Sequence, residues 1–365
     1  MNRNFNFDFI RASTIMAIMF FHMMQMTLPH PEVYQFIEVG KFSIDVFFCL
    51  SGYLVGTLYW REYKKTDTVN LWWFWLRRWS RTFPLYYFFL VFSYLAVYTS
   101  RHEPFDMTYL FFLQNYYIRI PFYLVTWTLC IEEHFYVIVP LLLSTLLLRK
   151  NIKLVLYVGI VLLFVPMLSR MYEMTYFNEY TRIPFGYHNT ASHLRFDGLI
   201  MGVFFAYIAV FDVKIYLPKL RYLCLLSLLA ILSNLFLDYG TFYVYGYFII
   251  PLFVSATIYS LRNRPLKMHP YLVRFFEYTA VASYSLFLTH PLLIHVSLLL
   301  LKKAHIENEP IKFVFTVFLV FSVGYAFYHF FETHLLEWRE KYVPAHPKPK
   351  AVAIRERNRN VVSNQ

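Results

Sequence analysis

Charged residues and glycines are scarce in this 365-residue sequence. Only 15% of the residues are charged and only 10 are glycines, whereas 58% are hydrophobic and 22% are aromatic. A soluble domain carries about 25% charged residues. The composition therefore excludes an ordinary soluble enzyme and predicts an all-α polytopic membrane protein.

Other absences narrow the class further. The three cysteines, Cys49, Cys130 and Cys224, lie in apolar runs without metal-ligand spacing, so the sequence indicates neither a disulfide framework nor a metal site. No glycine-rich phosphate loop is present, which argues against ATP-driven transport by this chain alone. The first apolar run is long and lacks a small-residue cleavage site, so we expect a retained first span.

Apolar windows of about 17 to 25 residues recur along the chain and predict ten transmembrane helices. The windows are residues 8–27, 42–60, 82–99, 124–148, 154–169, 193–211, 222–237, 241–261, 279–301 and 313–333. An orientation with both termini in the cytoplasm places 25 of the 34 Lys and Arg residues on the cytoplasmic side. Because basic residues favour that side, and because this explains the net charge of +12 without nucleic acid, we predict this topology.

Two segments depart from this pattern. Residues 105–123 are aromatic but interrupted by polar residues and a proline, which predicts a short re-entrant or interfacial segment instead of a span. The chain beyond Tyr342 is polar, basic and proline-bearing, which is typical of a disordered cytoplasmic tail. We therefore expect one transmembrane domain, residues 1–340, followed by a tail, residues 341–365.

The first span, "FDFIRASTIMAIMFFHMMQ", contains two ionisable residues, Arg11 and His22. An ionisable side chain within a membrane span costs roughly 2.5 kcal/mol or more, so a functional role is the first hypothesis. Eleven residues at about 100° each return to within roughly 20° of the start, so both side chains share one face, about 16 Å apart. One stripe of this helix therefore faces the protein interior.

Each of the two residues has a chemical and a structural interpretation. His22 can accept a proton from a hydroxyl group that attacks a thioester and return it to the leaving thiolate, or it can simply bond to another helix. Arg11 can hold a phosphate or the thioester region of a donor, or its side chain can extend to the lipid headgroups.

Five stretches carry a family resemblance when they are taken in order. They are "FIRASTIMAIMFFH", "IDVFFCLSGYLVG", "RRWSRTFPLYY", "WTLCIEEHFYVIVP" and "SYSLFLTHPLLI". Together they resemble the membrane acyltransferase-3 family over residues 8–333. The resemblance implies a ten-helix domain that moves acyl groups, usually acetyl, onto glycans and other surface molecules. Ser43, where the family often has glycine, and His290-Pro291, where His-Trp-Pro is commoner, are departures.

The resemblance also implies roles for the polar residues. Catalytic candidates are His22, Glu132 and Arg11. The family pattern Arg-x-x-Arg-x-x-Pro is matched by Arg78, Arg81 and Pro84, and it implies that acyl-coenzyme A phosphates bind at the inner surface. The donor-binding candidates are Arg77, Arg78, Arg81 and Arg11. Attraction of these charges to anionic lipid is the alternative, above all for Arg77.

Candidate acceptor contacts lie mainly on the spans that follow. Glu132 and Glu133 open span four on the predicted outer side, and Glu132 shares a helix face with Tyr136. Arg195 and Asp197 are expected to form a buried ion pair or to contact the acceptor. The acceptor-binding candidates are Glu133, Tyr136, Trp127, Arg195, Asp197, His290 and Asp45, with Trp127 and Tyr136 as possible stacking surfaces for sugars.

These expectations combine into one function and one alternative. We predict a bacterial cytoplasmic-membrane O-acyltransferase that moves an acyl group, expected to be acetyl, from acyl-coenzyme A to a hydroxyl of a saccharide or other envelope acceptor, without a metal. The predicted partners are membrane lipid, acyl-coenzyme A and a glycan or lipid-linked glycan. The alternative is a transporter or acyl exporter in which Arg11, His22, Glu132 and His290 form a proton or substrate path.

Overall fold

The computed structural model describes residues 4–28, 30, 40, 42–102, 104–149, 151–177 and 187–343. Regular secondary structure within these residues is entirely helical, and short 3-10 helices and a one-turn helix join the main helices. The main helices are α1 (Phe5–Thr27), α2 (Ser43–Thr66), α3 (Leu71–Arg101), α4 (Trp127–Leu147), α5 (Ile152–Tyr176), α6 (Asp197–Val210), α7 (Leu220–Leu232), α8 (Tyr239–Leu261), α9 (Pro270–Lys303) and α10 (Glu309–Tyr342).

Each of the ten predicted windows falls on one of these helices. The described residues include eight helices that are long and apolar enough to cross a membrane, judged by length and composition. The helices α6 and α7 are apolar but shorter, with 14 and 13 residues. The prediction of an all-α polytopic membrane protein is confirmed, whereas the number of crossings and their orientation stay predictions.

Helix α3 begins at Leu71 and not near residue 82, where the third span was predicted to start. Asn70 caps the helix by accepting a hydrogen bond from the main-chain N–H of Trp73. The first two turns are rich in tryptophan, so they continue the apolar helix although arginines interrupt the hydropathy. Arg78 and Arg81 therefore lie inside a helix, about 10 and 15 Å from its start, and not at its inner end as predicted.

The segment 105–123 does not form a spanning helix. It contains two short 3-10 helices, Met107–Phe111 and Gln114–Tyr116. The hydroxyl group of Tyr86 on α3 donates to the carbonyl of Tyr109 at 2.8 Å, and this bond ties the segment to the helix bundle. The prediction that these residues form no span agrees with the structure, whereas their re-entrant or interfacial position stays a prediction. Of the predicted tail, residues 344–365 lie outside the described residues.

Helices α2 and α6 approach each other closely through glycine residues. Gly52 and Gly56 on α2 face Leu199 and Val203 on α6, and Gly202 on α6 faces Gly52. A methyl group on Gly52 or Gly202 would collide with the main chain of the opposite helix. This is the small-residue packing that lets membrane helices approach closely. Because Gly52 faces α6, the neighbouring residue Ser51 faces another side of α2, where it contacts α4.

The N-terminal end of α1 is bound to the C-terminal end of α8 and to the connection that leads into α9. Asn6 donates its side-chain N–H groups to the carbonyls of Leu261 and Arg264, at 2.6 and 2.7 Å, and accepts a bond from the N–H of Leu266 at 3.0 Å. Further along, α1 packs along α9 through Ile15, Met19 and other buried residues. This packing brings His22 of α1 to His290 of α9.

Candidate functional site

The imidazole rings of His22 and His290 form a hydrogen-bonded pair between α1 and α9. Nδ1 of His22 lies 3.0 Å from Nε2 of His290, and the rings are nearly parallel, at 18°. Nδ1 of His290 lies 2.6 Å from the carbonyl oxygen of Phe287. His290 is fully buried, whereas His22 is partly exposed. The pair joins two residues that lie 268 positions apart in the chain.

A second cluster joins α2, α3 and α4 around Glu132. Its Oε1 accepts hydrogen bonds from the hydroxyl groups of Ser51 at 2.5 Å and Tyr136 at 2.7 Å, and these two hydroxyl groups also touch each other. The guanidinium carbon of Arg78 lies 3.0 Å from the centre of the Tyr136 ring, and Nη2 of Arg78 is 3.9 Å from Oε2 of Glu132. Glu132 thus has both a positive neighbour and hydroxyl donors.

The second glutamate of α4, Glu133, contacts α3 through its carboxylate group. The indole N–H of Trp79 donates to its Oε2 at 3.1 Å, and the hydroxyl group of Thr82 donates to its Oε1 at 3.4 Å. Both glutamates are buried. Glu133 therefore helps to hold α3 against α4 at the level of the arginines.

These contacts correct the predicted placement of the charges across the membrane. The sequence placed Arg78 and Arg81 at the inner surface and Glu132 and Glu133 on the outer side, yet Arg78 and Glu132 are neighbours. The arginines differ from their predicted position because α3 starts at Leu71, earlier than predicted, and therefore carries them within the helix bundle. Glu132 lies five residues after the start of α4, and this part of α4 lies beside the part of α3 that carries Arg78.

Arg81 contacts a buried carboxylate that the sequence analysis overlooked. Nη2 of Arg81 lies 3.3 Å from Oε1 of Glu332, which belongs to the π-helical segment Tyr328–Glu332 inside α10. The other oxygen of Glu332 accepts the main-chain N–H of Ser285 at 3.2 Å and its hydroxyl group at 2.5 Å. Single π-helical turns of this kind are frequent at functional sites.

Arg77 is engaged differently from the other two arginines. Its Nη1 donates to the carbonyl of Val343 at 2.5 Å, and its Nη2 pairs with Glu340 at 3.1 Å. Both partners lie at the C-terminal end of the described chain, where α10 ends. Arg77 therefore anchors that end of α10 against α3.

Helix α9 links the arginines to the histidine pair. The hydroxyl group of Tyr284 donates to the carbonyl of Thr82, one residue from Arg81, at 2.8 Å. His290 lies six residues further along α9, which is about 9 Å along the helix axis. The two clusters are thus neighbours along one helix.

Arg195 and Asp197 belong to a buried ion cluster, each with a different partner. Arg195 pairs with Asp45 at 2.8 Å and lies over the ring of Tyr247. Asp197 accepts both terminal nitrogens of Arg170, at 2.6 and 2.9 Å. The expected pair between Arg195 and Asp197 does not form, because residues two positions apart at a helix start do not face each other.

The two candidate stacking rings are enclosed by protein. Trp127 and Tyr136 are only 5% and 0% exposed. The guanidinium group of Arg78 covers one face of Tyr136, and Phe48 packs edge-on against Trp127. Neither ring offers an open surface to a sugar in this structure. Asp45, whose exposure the sequence left open, is buried.

Arg11 lies on α1, and its side chain is partly exposed. It precedes His22 by eleven residues on the same continuous helix, which corresponds to about 16 Å along the axis. This agrees with the spacing expected from the sequence.

Ser51, Arg170 and Glu332 are among the polar residues of these clusters that the sequence did not single out. Ser51 lies in the quoted stretch "LSGYL" but carries no charge, and Arg170 directly follows the predicted end of span five. Glu332 falls in the last residues of predicted span ten. A charged residue inside or beside an apolar window is the signal that could have revealed Arg170 and Glu332.

No group of three or more His, Cys, Asp or Glu residues suited to a metal ion occurs in the described part of the chain. The residues in the two clusters are instead hydrogen-bond donors, acceptors and guanidinium groups. Such groups can bind phosphate and transfer protons.

Comparison with known proteins adds three findings. A family model of the acyltransferase-3 type, described as an acyltransferase domain, matches residues 4–329. A Staphylococcus aureus (strain MRSA252) protein named "Putative O-acetyltransferase" is 25% identical over 92% of this chain, and O-acetyltransferase OatA of the same strain is 26% identical over 94%. This chain covers 59% of the length of each relative. No solved structure is significantly similar.

Proposed function

This chain belongs to the acyltransferase-3 family, and we propose that it is an integral-membrane O-acyltransferase that moves an acetyl group from acyl-coenzyme A to a hydroxyl group. The names of the relatives specify O-acetyl transfer for those proteins and support acetyl as the group transferred here. We further propose that the acceptor is a saccharide of the cell envelope and that the membrane is the cytoplasmic membrane of a bacterium.

The observation that carries this proposal is the pair formed by His22 and His290. One imidazole, partly exposed, is held by a second imidazole that is fully buried. In the proposed reaction His22 takes the proton of the acceptor hydroxyl group while the oxygen of that hydroxyl group forms a bond to the thioester carbon. The carbon–sulfur bond then breaks, and the coenzyme A thiolate takes the proton from His22. General-base catalysis of this kind contributes about 10²–10⁴-fold.

The donor phosphates are assigned to Arg78 and Arg81. Their side chains are 24% and 30% exposed, and their carboxylate partners lie at 3.9 and 3.3 Å. Charge-assisted hydrogen bonds between optimally placed groups are shorter, about 2.7–2.9 Å, so these guanidinium groups keep N–H donors for a phosphate. Arg77 keeps a structural role in this proposal because its terminal nitrogens already bind Val343 and Glu340.

The position of the two clusters supports one path for the donor. With both termini in the cytoplasm, the arginines lie closer to the cytoplasmic ends of their helices than the histidines do. A coenzyme A molecule bound through its phosphates at Arg78 and Arg81 would direct its pantetheine arm along α9 toward His22, with Arg11 on the flank of the path. The acceptor would approach His22 from the opposite compartment.

The proposal predicts that His22→Ala abolishes transfer. The measurement uses membrane vesicles with the cytoplasmic face outward, supplied with radiolabelled acetyl-coenzyme A, and counts alkali-labile acetate in envelope material. We expect a fall of about 100-fold or more, because the base is lost. His295→Ala is the matched control, since His295 lies on α9 but is exposed.

Wild-type transfer rates in the His22→Ala vesicles, at equal amounts of protein, would refute the role of His22. The same vesicles distinguish an exporter from an acyltransferase after a protonophore has removed the proton gradient. An acyltransferase still breaks the thioester under these conditions, whereas flux that needs the gradient and leaves the thioester intact would favour an exporter.

A further inference from the structure

The residue after His290 is a proline within a helix, and this changes the hydrogen bonding of α9. Pro291 has no main-chain N–H, so the carbonyl four residues earlier, that of Phe287, loses its usual helical partner. The side chain of His290 fills that place, because its Nδ1 lies 2.6 Å from the Phe287 oxygen. Pro291 thus leaves the Phe287 carbonyl without a main-chain donor, and the side chain of His290 donates to it instead.

The direction of each hydrogen bond follows from this arrangement. A carbonyl oxygen only accepts, so Nδ1 of His290 carries the proton of that ring, and a neutral imidazole carries only one. Nε2 of His290 is then an acceptor, and its neighbour at 3.0 Å, Nδ1 of His22, must donate to it. The remaining ring nitrogen of His22, Nε2, therefore presents a lone pair.

Nothing in the described part of the chain opposes this assignment. No carboxylate forms an ion pair with either ring there, so no negative charge balances a second proton on the buried pair. No described residue is hydrogen-bonded to Nε2 of His22. The chain of bonds has one fixed end, at the Phe287 carbonyl, and one open end, at Nε2 of His22.

We propose that His290, with the carbonyl released by Pro291, is a positioning residue that fixes the tautomer of His22 so that Nε2 is the base. The inference rests on the proposed function, because it names the atom that would take the hydroxyl proton. When Nε2 accepts that proton, Nδ1 keeps its own proton and its bond to His290. The proton then leaves from Nε2 to the thiolate, and His290 stays neutral throughout.

The tautomer can be read directly in the folded protein. The full chain is labelled with ¹⁵N-histidine, placed in lipid nanodiscs, and the signals of His22 are assigned among the 13 histidines by their loss in His22→Gln. We expect a proton-bearing Nδ1 and an unprotonated Nε2 at a pH where the ring is neutral. A proton on Nε2 of neutral His22 would overturn the inference, whatever the activity.

Substitutions at position 290 test the same point by rate. His290→Gln keeps an acceptor oxygen near the place of Nε2, whereas His290→Leu removes it. We expect His290→Leu to lower kcat about 10- to 100-fold with an unchanged KM for acetyl-coenzyme A, and His290→Gln to stay within about 3-fold of the wild type. Equal rates for the two variants would overturn the inference, because a purely structural role would not separate them.

Pro291→Ala tests the proline separately. It returns a main-chain N–H to the Phe287 carbonyl, which then competes with His290. We expect a loss of rate between those of the two His290 variants, while Pro166→Ala, a matched proline inside α5, leaves the rate unchanged. Equal rates for Pro291→Ala and Pro166→Ala would show that Pro291 has no part in positioning His22.

These results separate the inference from the function on which it rests. If His22→Ala retains activity, the proposed base is wrong, and the ¹⁵N spectrum still reports the tautomer. If His22→Ala is inactive but the spectrum places the proton of His22 on Nε2, the role of His22 as the base is supported and the positioning role of His290 is refuted.

Discussion

Two groups of arginines in this bundle bind carboxylates in different ways. Arg170 and Arg195 pair with Asp197 and Asp45 at 2.6 and 2.8 Å, and all four side chains are at most 5% exposed. Arg78 and Arg81 lie 3.9 and 3.3 Å from Glu132 and Glu332, and about a quarter of each arginine side chain is exposed. The same residue types therefore form one closed cluster and one open cluster.

The difference separates structural charge from charge that is available to a ligand. Arg170 makes four hydrogen bonds, to both oxygens of Asp197 and to the carbonyls of Leu194 and Val244, so its terminal nitrogens are used within the protein. Charges buried without a partner cost several kcal/mol, so the closed cluster can persist only if it is complete. In the open cluster, Arg78 and Arg81 keep partly exposed guanidinium groups, to which the proposed function assigns the donor phosphates.

The largest expected effect comes from breaking the closed cluster. Arg170→Met leaves Asp197 buried without its partner and should cost about 3–5 kcal/mol of stability. We expect little folded protein, measured as the monodisperse fraction in detergent size-exclusion chromatography. The double variant Arg170→Met with Asp197→Leu removes both charges and should recover most of that fraction. A single variant as stable as the wild type would contradict the structural role of this cluster.

A smaller effect is expected in the open cluster, where folding should survive. Arg78→Lys and Arg81→Lys keep a positive charge beside Glu132 and Glu332 but lose the planar fork that binds phosphate oxygens in pairs. We expect each to raise the KM for acetyl-coenzyme A about 10-fold in the vesicle assay, which corresponds to one charge-assisted hydrogen bond. An unchanged KM in both variants would remove the donor phosphates from this cluster.

The smallest effect is expected at the neighbouring arginine, Arg77. Its pair with Glu340 is partly exposed, and such pairs contribute about 0–1 kcal/mol. Arg77→Lys should therefore change the KM for acetyl-coenzyme A by less than about 2-fold, in the same assay. A rise as large as that of Arg78→Lys would mean that all three arginines act together on the donor.

The positions of the helices could be predicted because each apolar window is a local property of the chain. The start of α3 could not be predicted, because Arg77, Arg78 and Arg81 lower the hydropathy of a segment that is nevertheless helical and partly buried. Asn70 and the tryptophans after it were the usable signal, since asparagine favours a helix N-cap and large aromatic side chains continue the apolar surface.

The candidate site was predicted residue by residue, but not in its pairings. His22 and His290 stand out separately as ionisable groups in apolar spans, yet their contact depends on the packing of α1 against α9. Arg195 and Asp197 are close in sequence and bind separate partners, because the start of α6 turns their side chains apart. Pairing depends on which helix faces meet, and an apolar window does not specify its face when it is apolar on most sides.

The glycine contact between α2 and α6 has a consequence for how the proposed donor and acceptor would reach His22. Two main chains that touch without intervening side chains are sterically hindered from tilting toward each other, so we expect α2 and α6 to move together as one unit. In the proposed reaction, any movement that admits the donor from one side and the acceptor from the other is therefore expected along the side-chain-lined contact of α1 with α9.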